Sequence, residues 1–175
     1  VVAASLKIKG LVSYQGEIKL AKTARDLGIP FCVSTQSVTT VEAIRQSVPD
    51  AKLWFQLYVW KDRNLTRQLL ERAQASSVDC LVITADTPVS PKREYNVRNG
   101  FSIPLKPTLG LMLDVLRHPS WLASVWLRQM LSSGMPSYGH YPAQFRSAVT
   151  QQTVHEAVRL ENRLTWKDIR QIRTW

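Results

Sequence analysis

Four side chains able to hydrogen-bond a flat polar ligand sit near the ends of apolar runs. Ser34 closes "FCVS", Gln56 and Tyr58 lie two apart in "WFQLYVW", and Thr84 follows "LVI" in "LVITADTP". A hydroxyl donates and accepts, an amide does both through separate atoms, and a phenol can follow charge developing on an oxygen. One reading is a site for a flat ligand with a polar edge. The other is that these groups satisfy one another and nearby loops, as buried polar groups must. Either reading requires that the fold bring them to one place.

The elements around them suggest how. "IPFCVST", "LWFQLYV" and "CLVITADTP" read as short strands, and the chain opens inside another at "VVAA". Helical patterns lie between them. "EIKLAKTARDLG" places Ile18, Ala21 and Leu27 near one face, with Gly28 as the stop. "TTVEAIRQSV" offers a capping box of Thr39 and Glu42 and stacks Val41, Ile44 and Val48. "DRNLTRQLLERAQASS" has Asp62 as N-cap and Leu65, Leu69 and Ala73 inward. Strand and helix alternate evenly, which predicts a parallel sheet covered by helices. The spacing suits a (β/α)₈ barrel better than an open doubly wound sheet. No GxGxxG follows a strand, which argues against dinucleotide binding.

Alternation along a strand sorts the side chains. Phe55, Leu57 and Val59 take the face toward the helices, as do Leu81 and Ile83. Gln56 and Tyr58 take the barrel axis, as do Val82, Thr84 and Asp86. Ser34 reaches the same C-terminal rim, where barrel active sites lie.

Composition narrows the classes. The 175 residues are 45% hydrophobic and 21% charged, with a net charge of +10. That suits one globular domain and invites an anionic partner. The Lys and Arg residues are scattered along helices without interleaved aromatics, so no nucleic acid is expected. Cys32 and Cys80 lie in apolar runs and are expected as buried free thiols. No apolar run reaches the roughly 18 residues of a transmembrane helix. His118, His140 and His155 have no carboxylate and nucleophile around them, and no metal-ligand spacing is present. Structural or solvent-exposed roles are expected for all three, and no metal.

"WFQLYVWKDR" followed by "ITADTPVSPKREYNVRNGF" resembles the FMN-dependent α-hydroxy-acid dehydrogenase and oxidase family. "GLVSYQGEIKLAKTARDLGIPFCVST" and "LTWKDIRQIRTW" are similar to other segments of that family, so the resemblance spans nearly the whole chain. It implies FMN as cofactor, with Ser34, Gln56 and Thr84 as flavin contacts. Tyr58 would be the catalytic group on the substrate's hydroxyl or keto oxygen. Arg93 would join Tyr58 in binding substrate, forking onto its carboxylate.

The resemblance also implies departures. Where the family has Ala-Pro and then a small pair, this chain has "AASLKI". Ser5 replaces the proline, and Leu6 and Lys7 the pair; Lys7 either points away or takes space that flavin needs. Ser13 and Tyr14 replace a His-Pro pair. The family's catalytic histidine, its flavin-stabilising lysine and a further substrate arginine would fall beyond Trp175.

The expected architecture is therefore α/β: a partial TIM barrel of roughly the first four βα units, with a long inserted loop. Residues 1–102 would form the first barrel units. Residues 103–163 would form an extended helical loop or lid, and 164–175 the helix before a fifth strand. The insert, "TLGLMLDVLRHPSWLASVWLRQMLSSG", is apolar, aromatic and punctuated by arginine. It resembles the membrane-associated bacterial lactate and mandelate dehydrogenases of that family; a lid packed on the barrel is the competing reading. The expected activity is oxidation of an L-2-hydroxy acid, lactate- or mandelate-like, to the 2-oxo acid. Electrons would pass to a respiratory quinone or cytochrome, at the cytoplasmic side of a bacterial membrane, in a homo-oligomer when complete. An oxygen-using oxidase and a degenerate non-catalytic barrel are the alternatives.

Overall fold

A computed structural model describes residues 2–4, 12–85, 94–98, 108–146 and 155–175. Its strands are β1 (Ala3–Ala4), β2 (Phe31–Ser34), β3 (Leu53–Leu57) and β4 (Cys80–Ile83). They lie side by side in chain order, each parallel to the next. Parallel neighbours require a crossover. Here α1 (Gly16–Asp26), α2 (Val41–Ser47) and α3 (Arg63–Ala75) lie between successive strands.

All three helices pack on one face of the sheet. Ala21 and Ala24 of α1, Ile44 of α2, and Leu69 and Ala73 of α3 share a core with Phe31, Val33, Leu53, Phe55 and Leu57. One-sided winding in sequential order is that of a (β/α)₈ barrel, and these strands form one arc of it. Burial along β3 and its extension alternates without a break. Leu53, Phe55, Leu57 and Val59 are buried, while Trp54, Gln56 and Tyr58 are half-buried. Cys32 is buried and Cys80 half-buried, both as free thiols.

Local physics corrects two details. Leu27 does not point inward; it is 68% exposed, and Glu17, Ala21 and Ala24 are the buried side chains of α1. Gly28 does end that helix region with φ +67°, a conformation glycine adopts at little steric cost. The cap of α2 is Thr40 rather than Thr39: its hydroxyl accepts from the Ala43 N–H at 3.2 Å. Thr39 and Glu42 turn instead to other helices, Thr39 to Glu17 and Glu42 to Arg72. Asp62 caps α3 as expected, accepting from the Asn64 and Leu65 N–H groups.

At the N-terminal ends of the strands, Arg45 ties the connections together. Its guanidinium donates to the carbonyls of Pro49 and Ala51, before β3, and of Ser76 and Ser77, before β4. After β4 come α4 (Glu94–Arg98) and α5 (Leu109–Arg117). The next helix, α6, covers residues 119–133. It starts with Pro119–Trp121, passes through a π-helical stretch at Leu122–Leu127 and ends with Arg128–Ser133. Trp121 and Trp126 stack there, five residues apart, with centroids 6.3 Å apart.

The chain then returns to the sheet. The Lys61 N–H donates to the Arg159 carbonyl and the Glu161 N–H to the Val59 carbonyl, so this leg pairs antiparallel with the extension of β3. Last comes α7 (Trp166–Thr174), opened by a capping box of Thr165 and Asp168. Asp168 also receives Arg63 of α3 at 2.9 Å, which seats the helix beside the arc.

Candidate functional site

The register of the strands brings three of the four singled-out side chains into one row. Ser34 of β2 lies opposite Gln56 of β3. The Ser34 hydroxyl donates to Gln56 Oε1 at 2.8 Å. Gln56 Nε2 donates to Thr84 Oγ1, just past β4, at 2.5 Å. The row lies on the face turned away from the helices, because Phe55 and Leu57 fill the other one.

Within this chain the groups do satisfy one another, as the simpler reading required. They are not exhausted by doing so. Gln56 spends one N–H and one oxygen lone pair on the row, which leaves one of each. Among the described residues nothing accepts the Thr84 hydroxyl proton, and Ser34, which also accepts the Gln36 N–H, keeps a lone pair. Tyr58 follows β3 directly, half-buried, with its N–H held by Thr35 Oγ1 at 3.0 Å.

A second layer, not evident in the sequence, holds the row from behind. Thr35, with no exposed surface, donates both its N–H and its hydroxyl to the Gln56 carbonyl, at 2.9 and 2.7 Å. Glu17 is equally buried and accepts from the Ser37 and Thr39 hydroxyls at 3.2 and 3.1 Å. A carboxylate taken out of water needs such partners. The only sequence signal was an acidic residue in the first turn of α1.

His140 lies outside what a Gly/Pro/Tyr-rich loop suggests. It is buried, with its ring edge-on to Phe55 at 5.2 Å. Burial, with Arg72 and Arg146 nearby, lowers its pKa to about 4 against the opposing pull of Glu42, so the imidazole is neutral near pH 7. Next to it, burial pushes the Tyr141 phenol up to about 12. Burial would raise Glu42 as well, but the hydrogen bond and charge of Arg72 outweigh it and hold that carboxyl low.

The other two histidines, expected to be structural or solvent-exposed, are exposed and make local contacts. His118 joins α5 to α6, with Nδ1 2.8 Å from the Asp114 carbonyl. His155 accepts from the Ala157 N–H and stacks on Phe145. Among the described residues no group of His, Cys, Asp and Glu could hold a metal ion.

Arg93, Asp86, Ser5, Leu6 and Lys7 lie outside the described residues. Ser13 and Tyr14 lie within them, and Tyr14 has a role. The Arg128 guanidinium sits 4.5 Å over its ring, a cation–π contact that ties α6 to the segment before α1.

Comparison with known proteins bears on the fold and the family. A family profile described as FMN-dependent dehydrogenase matches residues 1–175. An L-lactate dehydrogenase of Azorhizobium caulinodans is 34% identical over 178 residues, covering 100% of this chain and 45% of that protein. An L-lactate dehydrogenase of Vibrio parahaemolyticus is 38% identical over 127 residues, covering 73% of this chain and 33% of that protein. The crystal structure of the monotopic membrane protein (S)-mandelate dehydrogenase superposes with a TM-score of 0.83 at 28% identity. It covers 99% of this chain, which matches 44% of that one. The chain thus spans less than half the length of each of these relatives.

Proposed function

The chain belongs to the FMN-dependent dehydrogenase family, and from that premise we propose that the full-length protein oxidises an L-2-hydroxy acid, lactate- or mandelate-like, to the 2-oxo acid. The observation that carries this reading is the Ser34–Gln56–Thr84 row, with spare donors and acceptors on the face away from the helices. A flavin edge presents both kinds of group, and the row fits it. Bound FMN supplies the acceptor for the two electrons leaving the substrate.

This chain's own residues then do the holding. Ser34, Gln56 and Thr84 orient the cofactor. Tyr58, two residues past Gln56, donates its phenol to the substrate oxygen and stabilises charge there as the carbonyl forms. Arg93 pairs with the carboxylate, which fixes the acid's orientation. Residues 1–102 make the first barrel units, 103–163 the arm with its return leg, and 164–175 the next barrel helix. Full-length protein given L-lactate or (S)-mandelate and a quinone analogue should form the 2-oxo acid. No product from either acid would defeat the reading.

The arm favours a membrane-side electron acceptor over oxygen. On α5, Leu109, Met112, Leu113 and Leu116 recur at helical spacing, and all four are exposed. Leu127, Met130 and Leu131 of α6 and Met135 beyond it are exposed as well. No helix among the described residues is long and apolar enough to cross a membrane. A stripe of this kind, with Arg117 and Arg128 nearby, suits the headgroup boundary of an anionic bilayer. We place the protein peripherally on the cytoplasmic face of a bacterial membrane, delivering electrons to a quinone or cytochrome there.

Liposome co-sedimentation of the full-length protein checks the attachment. Binding to anionic vesicles should weaken with salt and disappear when residues 107–135 are deleted. A lid on the barrel instead predicts no vesicle binding and a deletion that harms stability or substrate affinity.

A further inference from the structure

The return leg of the arm begins with a plug at Tyr138–Tyr141 that seats against the loop after β2. The Gly139 N–H donates to the Ser37 carbonyl at 2.9 Å. The Val41 N–H, at the start of α2, donates to His140 Nε2 at 2.9 Å. That bond fixes the tautomer. Nε2 holds the lone pair, so Nδ1 carries the proton and donates to the Thr35 carbonyl at 3.3 Å. One imidazole therefore ties both ends of the stretch from Thr35 to Val41.

Thr35 is the link to the site. Its N–H and hydroxyl hold the Gln56 carbonyl, and its hydroxyl oxygen accepts the Tyr58 N–H. Ser34 begins the same loop, with its carbonyl accepting the Ser37 N–H and its hydroxyl oxygen the Gln36 N–H. Moving Thr35 would disturb the ends of β2 and β3 together, and those ends carry Ser34, Gln56 and Tyr58.

We propose that His140 is a positioning residue for FMN: by locking Thr35 to α2, it holds the Ser34–Gln56 row in the register that flavin binding needs. The inference rests on the FMN-binding reading of that row. It assigns the return leg a part in the barrel's site that does not depend on what the exposed arm touches. His140 must stay neutral for this, because a proton on Nε2 would face the Val41 N–H. Its surroundings include Glu42 of α2, Arg72 of α3 and Arg146 of the return leg. Arg72 also holds the His140 carbonyl at 3.2 Å.

The test is FMN titration of the full-length apoprotein, read by flavin fluorescence, together with thermal unfolding. His140→Ala removes the lock. Gly139→Ala wedges the plug outward, since an added Cβ would meet the Val38 carbonyl at 2.6 Å and Thr40 Cγ2 at 2.9 Å. Arg45→Ala, at the opposite end of the strands, is the stability control. Both plug variants should bind FMN about tenfold more weakly, as the loss of one to two net hydrogen bonds implies. His140→Gln, which keeps an acceptor and a donor, should recover part of the affinity. Arg45→Ala should lower the Tm and leave FMN affinity unchanged. If His140→Ala does not fold, Gly139→Ala decides. Unchanged affinity in the folded plug variants, or an equal loss in Arg45→Ala, overturns the inference. A full-length wild type that takes up no FMN overturns the functional reading, and this inference with it.

Discussion

Tyr58→Phe in the full-length protein should lower kcat by about tenfold or more while FMN stays bound. The substitution removes one hydroxyl and keeps the ring, so the packing of a half-buried aromatic beside β3 survives. The backbone is fixed independently of the phenol, because the Tyr58 N–H is held by Thr35 Oγ1. A phenol that binds ground state and transition state alike would change KM alone; one that follows developing charge changes kcat. Steady-state kinetics at saturating FMN separates the two. Unchanged kcat and KM would return Tyr58 to a purely structural role.

Gln56→Leu should act on the cofactor. Leucine has a similar volume but no polar atoms, so the row loses its centre. The Ser34 hydroxyl loses its acceptor and Thr84 Oγ1 its donor. Two hydrogen bonds to a bound ligand, at about 1 kcal/mol each, correspond to a weakening of about tenfold to thirtyfold in the FMN dissociation constant. Fluorescence titration of the apoprotein measures it. An unchanged constant would mean that the row only satisfies itself.

How much of this was legible in the sequence follows the range of the interactions. The period-2 pattern of "LWFQLYV" is local, and it assigned Phe55 and Leu57 to the helices and Gln56 to the other face. Asp62 as cap of α3 was legible for the same reason. Thr39 and Thr40 offer the same hydroxyl one residue apart, and only the backbone decides which one caps. Leu27 fits the periodicity of α1 but caps its C-terminal end, its N–H still bonded to the Thr23 carbonyl and its side chain exposed, because among the described residues no other element packs over that end. The buried Glu17 contradicts its residue type and becomes reasonable only when Ser37 and Thr39 arrive from another connection. His140 is the extreme case. Its partners Val41 and Thr35 lie 99 and 105 residues away, and nothing in "YGHYP" announces them.

The row itself was legible as residue types at strand ends, and its role came from a resemblance. Geometry added the register that joins Ser34 to Gln56, and the support behind them. Arg93, proposed to bind substrate, and Lys7, the departure nearest the expected flavin space, lie outside the described residues.

The most direct measurement is the absorption spectrum of the full-length protein, purified and mixed anaerobically with an L-2-hydroxy acid. The account predicts a yellow protein whose oxidised-flavin absorption bleaches with L-lactate or (S)-mandelate as 2-oxo acid forms, and does not bleach with the opposite enantiomer. A full-length protein that carries and takes up no FMN, or a flavin left oxidised by both acids, would contradict it.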